Sequence, residues 1–231
     1  MANNEFDIIN EPVKAVEIGY NRVESFVEKN KKNLLIGGGV LVGAVVLTLG
    51  YQEFIQKPLE VEAQEALYKA QNLFAGDSVK AALNGNAEVI GFLDIADEYG
   101  WTKAGNLAQY YAGLCYLDLG QPQEAIEALE SFSSSDGLLE ANKWGSIADA
   151  FMDLKQPGEA LDYYVKAANI ADNDLQTPFF LKKAALTAEM QEDFDAALKY
   201  YERIKADYSQ SAEGFEAARD IAYCKAKLGQ E

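Results

Sequence analysis

The sequence predicts an all-α protein: one transmembrane helix at residues 33–52, followed by a solenoid of paired helices over residues 53–231. Three observations predict it. A run of uncharged residues near the amino terminus has the length of a bilayer span. Three later stretches align with one another at near-constant spacing. No segment shows the strict apolar–polar alternation of a half-buried strand.

The span comes first. From Leu34 to Tyr51 there are 18 residues without a charge, and Thr48 is the only hydroxylated side chain before Tyr51. A helix of that length rises about 27 Å, close to the ~30 Å hydrocarbon thickness of a bilayer. The run has no polar stripe of 3.6-residue period, as a soluble core helix would. It follows a leader of more than thirty residues and ends in Gly50-Tyr51-Gln52-Glu53 without a small-residue cleavage pattern, which argues against a cleaved signal. Lys29, Lys31 and Lys32 precede it, whereas Glu53, Lys57, Glu60 and Glu62 follow it. Lysine excess holds its side in the cytoplasm, so residues 1–32 are expected inside and residues 53–231 outside, in the periplasm of a bacterial inner membrane.

The leader carries Val13, Val16, Tyr20, Val23 and Val27 at helical intervals, with Pro12 suited to a first turn. This stripe fits either a helix lying on the membrane surface or a docking seam. Within the span, Gly39, Gly43 and Gly50 fall on one helical face, where small residues let a second membrane helix approach closely.

The repeats carry the rest of the fold. "YYAGLCYLDLGQPQEAIEALESF" from Tyr110, "WGSIADAFMDLKQPGEALDYYVKA" from Trp144 and "LKKAALTAEMQEDFDAALKYYERI" from Leu181 each read as helix, tight turn, helix. Their shared alanines, Ala125, Ala160 and Ala197, lie 35 and 37 residues apart. Helix pairs at a period near 34 mark tetratricopeptide repeats. Gly113, Ala148 and Ala185 are small where the first helix meets the second, and Tyr116 and Phe151 fill the space beyond. Gly120 can close a first helix in the left-handed conformation, and Pro122 and Pro157 can open a second. Flanking segments complete the array. Residues 58–76 and 87–99 read as helices with a loop between them, and a last helix runs from about Ser211 to Leu228.

Composition narrows the function. The chain carries a net charge of −17; beyond residue 32 there are 15 basic and 31 acidic side chains, net −16. That surface repels phosphate backbones and anionic lipid, so nucleic acid is not expected as a partner. There is no histidine, which removes the commonest general base and the usual nucleophilic triads. No metal-ligand spacing or phosphate-binding loop appears, so no metal, cofactor or small-molecule substrate is expected. Asp193 and Asp195 are neighbours without a cleft to perturb them, and the chain is not expected to be an enzyme. Cys115 and Cys224 each sit in an apolar helical pattern, as buried thiols would, although the periplasm permits a disulfide.

"FVEKNKK" leading into a glycine-rich membrane helix, and then helical repeats, resembles the YfgM family. That resemblance implies a single-pass inner-membrane protein with a periplasmic tetratricopeptide domain, an ancillary subunit of the SecYEG translocon working beside the chaperone PpiD. "IKADYSQSAEGFEAA" also resembles periplasmic repeat proteins of the BamD and CpoB type. An envelope-assembly or cell-division scaffold is therefore the alternative, although the chain lacks their lipoprotein cysteine or cleavable signal.

In such repeats the first helix of each pair lines a concave groove. Projection places Tyr110, Leu114, Leu117, Asp118, Asn142, Asp149, Met152, Asp153, Phe179, Lys182 and Glu189 on it. Asn142 and Lys182 are the only candidates for clamping a peptide's terminal carboxylate, and they stand among acids. The groove is expected to suit an extended apolar or basic segment. Equally, Leu114, Leu117 and Phe179 could be core, and the acids solubilising. Gly145 falls on a groove position with no reason visible in the sequence.

Overall fold

A computed structural model describes residues 4–230, with side chains described from Glu24 onward except Ser25. Helices account for most of it, and no strand occurs among the described residues. The chain divides into two compact units, residues 1–58 and 59–231.

The first unit is helix α1, Asn4–Tyr51, continued by a π-helical turn at Gln52–Gln56. Because α1 begins at Asn4, Pro12 lies inside it rather than in a first turn. Of the leader stripe, Val13, Val16, Tyr20 and Val23 lie outside the residues whose side chains are described, and Val27 is exposed. Among the described residues one helix is long and apolar enough to cross a membrane, with a mean hydropathy of 2.1 over its best 18-residue window and none of that window buried. The Thr48 hydroxyl within the apolar run is satisfied internally: Oγ1 donates to the Ala44 carbonyl at 2.5 Å. That arrangement suits a solvent with no hydrogen bonds to offer. A methyl group added at Gly39, Gly43 or Gly50 would meet nothing within 4 Å.

The second unit is built on five long helices that share one way of ending. These are α2 (Lys57–Ala75), α5 (Lys103–Asp118), α7 (Gly137–Asp153), α9 (Gln176–Met190) and α11 (Ala212–Lys227). Each closes on a residue with positive φ: Asp77, Gly120, Lys155, Glu192 and Gly229. After each of the five the following amide bonds back five residues, as in Ser78 N to the Leu73 carbonyl, Gln156 N to the Phe151 carbonyl and Asp193 N to the Ala188 carbonyl. This is the Schellman arrangement, which satisfies carbonyls that the helix end leaves free.

The second helices are α6 (Pro122–Ser131), α8 (Pro157–Ala171) and α10 (Phe194–Asp207); Pro122 and Pro157 stand in their first turns as expected. The first repeat departs from the expected pattern. Its return path is two short helices, α3 (Val79–Asn84) and α4 (Phe92–Glu98), where a loop and one helix over 87–99 were expected. The Asn86 carboxamide oxygen accepts from the amides of Glu88 and Val89, holding that stretch in a turn. Gly91 then crosses so near Gly85 and Leu83 that an added methyl group would lie 2.3 and 2.4 Å from their backbone atoms.

Small residues bring the helices together. Ala125, Ala148, Ala160, Ala185 and Ala197 are all fully buried. A methyl group on Gly113 would meet the Leu129 side chain at 2.5 Å, so α5 and α6 touch there through hydrogen alone. Gly145 is explained in the same way: a methyl group there would lie 2.2 Å from the Phe180 ring, so α7 and α9 approach because that position is empty. Glu60, on α2, accepts from the Lys103 and Ala104 amides at 2.8 and 3.2 Å, tying the first repeat to the open end of α5. Cys115 and Cys224 are separate, buried thiols.

Candidate partner-binding groove

The projected groove residues fall into three groups. Tyr110 belongs to the core: it is buried with Leu129, Phe132 and Ile147, its ring tilted against Phe132 at 5.2 Å. Its hydroxyl pKa is raised, by burial first and then by Tyr111. Leu114 and Leu117 are half-buried against the same cluster.

The second group ties successive repeats together. Asn142 Oδ1 accepts from Gln176 Nε2 at 2.7 Å. Asp149 holds Lys183 Nζ at 2.6 and 2.9 Å and also accepts from the Tyr164 hydroxyl. Met152 Sδ lies 3.9 Å from the Thr187 hydroxyl. Lys182 pairs with Glu216, and Glu189 accepts from the Tyr201 hydroxyl at 2.7 Å, with Cys224 Sγ at 3.9 Å. The partners on neighbouring first helices are 34 or 35 residues apart. They are the rungs of a ladder between equivalent helices.

Those rungs shape the local chemistry. Burial, then the bond to Asp149, raises the Tyr164 pKa; burial, then the bond to Glu189, does the same for Tyr201. Both phenols therefore stay protonated and donate at neutral pH. Burial, followed by Asp118, pushes the Cys115 thiol up to about 12, and burial, followed by Glu189, pushes Cys224 up to about 11. Neither thiol is poised as a nucleophile. Among the described residues no cluster of His, Cys, Asp or Glu could hold a metal ion.

The third group is free. Asp118 and Asp153 are exposed near the carboxyl ends of α5 and α7. Phe179 is 44 % exposed, edge-on to Phe180, with Lys183 Nζ 5.2 Å from its ring centre. Leu186 and Met190 are also exposed on α9. They follow Phe179 by seven and eleven residues, which puts the three on one helical face. Sequence projection missed Leu186 and Met190, although their spacing from Phe179 was readable. It also missed Lys183 and Gln176, which the 34-residue separation of Asp149 from Lys183 and of Asn142 from Gln176 could have revealed.

Residues 107–135 and 182–211 match the tetratricopeptide repeat family, spanning most of α5 with α6 and the second half of α9 with α10. The fold is a tetratricopeptide-repeat solenoid. The crystal structure of MamA superposes with a TM-score of 0.56 at 16 % identity, over 72 % of this chain and 82 % of that one. A Podosopora anserina protein of nearly identical TPR-like repeats, described as a kinesin light chain, gives 0.55 at 14 % identity, over 74 % of this chain and 88 % of that one. At such identities the likeness is one of fold. No curated protein matches the chain in sequence. Tetratricopeptide solenoids are protein-interaction scaffolds, and this chain has that architecture.

Proposed function

We propose that the chain is a non-enzymatic, single-pass scaffold of the bacterial inner membrane, ancillary to the SecYEG translocon. In this reading residues 1–32 are cytoplasmic, 33–52 cross the bilayer and 53–231 form the periplasmic repeat domain. The domain positions a PpiD-like chaperone and secreted clients where chains emerge. Leu114, Leu117, Asp118, Asp153 and Phe179 contact the partner, while Asn142, Asp149, Met152, Lys182 and Glu189 hold the groove in shape. Gly39, Gly43 and Gly50 form the face on which a partner's membrane helix packs.

One observation carries the reading: beside rungs that tie its polar side chains together, the solenoid keeps Phe179, Leu186 and Met190 exposed in one stripe. A tethered groove needs little intrinsic affinity, because the anchor raises the local concentration of partners in the same membrane. The lysine flank at residues 29–32 and the resemblance to the YfgM family support the location.

The test is purification in mild detergent with mass spectrometry, joined to photocrosslinking from Gly43 and Asp118. Translocon subunits from both positions are expected. Recovery of outer-membrane or division machinery instead overturns the translocon assignment. An intact complex after Gly39→Leu and Gly43→Leu overturns the membrane-face assignment.

A further inference from the structure

The exposed apolar surface does not end with the α9 stripe. Where α9 and α11 begin, a cleft of about 370 Å³ opens, lined by Leu175, Phe179, Ala212, Asn142 and Gln176, with Asp174 and Glu213 also on its wall. Leu175 is 80 % exposed, although it stands at a helix start whose amides Asn173 already satisfies: Asn173 Oδ1 accepts from the Leu175 and Gln176 amides at 3.0 and 2.7 Å. Leu175 therefore has no capping role that would explain its position. Gln176 Nε2, besides its bond to Asn142, reaches the Leu138 carbonyl at 3.4 Å, and Leu138 is exposed as well.

A second hollow, about 180 Å³, shares Asp174 and Ser211 with the first and is otherwise lined by Asp207, Tyr208, Ser209 and Gln210. No lysine or arginine lines either hollow. Cations close by are already paired: Lys183 Nζ, 5.2 Å from the Phe179 ring centre, is held by Asp149, Lys182 pairs with Glu216, and Arg203 Nε stands 3.9 Å from Asp207. An apolar recess therefore lies directly beside an acidic one.

We propose that this pair of hollows seats an extended polypeptide in which a bulky aliphatic or aromatic side chain is next to a lysine or arginine. The apolar side chain covers Leu175 and Phe179, and the cation lies between Asp174 and Asp207. Charge decides among the possible occupants. Anionic lipid and acidic peptides are repelled by Asp174, Asp207 and Glu213, on a chain region of net charge −16. A cationic, apolar segment is attracted and steered in. This assignment rests on the scaffold reading and names the chemistry of its partner.

The experiment uses the full chain in detergent and a fluorescein-labelled nonapeptide alternating leucine and lysine, read by anisotropy. Two control peptides replace leucine by serine or lysine by glutamate. The leucine–lysine peptide is expected to bind, the controls to fail, and the affinity to fall as salt rises. Leu175→Ser and the double variant Asp174→Asn/Asp207→Asn each weaken binding about tenfold, the scale of one buried aliphatic side chain or one charged contact. Leu175, Asp174 and Asp207 are all exposed, so the variants keep the wild-type circular dichroism.

Equal affinity for the glutamate peptide, or wild-type affinity in Leu175→Ser, overturns the assignment. So does a wild-type dimer in sedimentation that Leu175→Ser dissociates while peptide binding is unchanged. If translocon subunits still co-purify when Leu175→Ser leaves peptide binding unaltered, only the cleft assignment fails. If peptide selectivity holds and no translocon subunit co-purifies, only the translocon assignment fails.

Discussion

Replacing Asp149 separates a strut from a ligand. Its carboxylate accepts from the buried Tyr164 hydroxyl and holds Lys183 on the next first helix. Asp149→Ala leaves the Tyr164 hydroxyl unpaired inside the protein, at a cost of about 1–3 kcal/mol. The pair with Lys183 is partly exposed, 31 % on the lysine and 43 % on the aspartate, so its loss adds at most about 1 kcal/mol. Alanine returns roughly 0.5 kcal/mol through helix propensity. The net expectation is a destabilisation of about 0.5–3.5 kcal/mol.

The assay is urea unfolding of the full chain in detergent, followed by the fluorescence of Trp144 in a Trp101→Phe background. Trp144 lies in the same repeat and, with Trp101, completes the chain's two tryptophans. A local reporter is needed because a repeat array can lose its cooperativity. Tyr164→Phe removes the orphaned hydroxyl, so Asp149→Ala/Tyr164→Phe should be more stable than Asp149→Ala alone. The cycle is expected to give a coupling of at least about 1 kcal/mol. A coupling near zero, with partner recovery abolished by Asp149→Asn at unchanged stability, would make Asp149 a ligand rather than a rung.

Three further expectations follow from the same geometry. Gly145→Ala forces a methyl group to within 2.2 Å of the Phe180 ring and should cost about 1–3 kcal/mol in urea unfolding, because α7 and α9 must separate or Phe180 must turn. Lys155→Gly should stabilise by roughly 0.5–1 kcal/mol, since Lys155 closes α7 at φ 61° where a side chain is strained, and a lower urea midpoint would contradict this. Cys115 should resist thiol reagents at pH 8, and stability should fall as the pH climbs from about 9 toward 12. Between the ordinary thiol pKa of 9.0 and the raised value of about 12, the unfolded chain loses a proton that the folded chain keeps, so unfolding gains with pH. Rapid labelling of both thiols in the native protein would refute the burial on which that rests.

The repeat register was legible because it depends on volume. Ala125, Ala160 and Ala197 mark the crossing of first and second helices, where any larger side chain would push the pair apart. The shared turn was only half legible. Gly120 advertises its left-handed conformation, but Lys155 and Glu192 adopt the same one, so residue type hides the equivalence. Helix α3 has only six residues, too few to show a helical period; Ala82 and Leu83, buried in the core, hold it rather than its propensity. The groove was the least legible part. Aligning the stretches by their alanines steps 35 and then 37 residues, whereas Asp149–Lys183 and Lys182–Glu216 are each 34 apart. The frame that locates the helices therefore conceals their cross-links.

The rungs also account for the character of the surface that remains. Equivalent residues stack in a solenoid, and a row of like charges would repel itself down the array. This chain alternates instead: Asp149 faces Lys183, and Lys182 faces Glu216. With 15 basic against 31 acidic side chains beyond residue 32, cations committed to rungs leave an excess of acids outside them. Asp118, Asp153, Asp174 and Glu213 are among the acids so left, and Asp174 and Glu213 line the cleft together with Phe179 and Leu175. An apolar strip in a negative field follows from how the stack is held together. Salt should therefore act in opposite senses on the two properties, relieving self-repulsion within the folded domain while weakening its hold on a cationic partner.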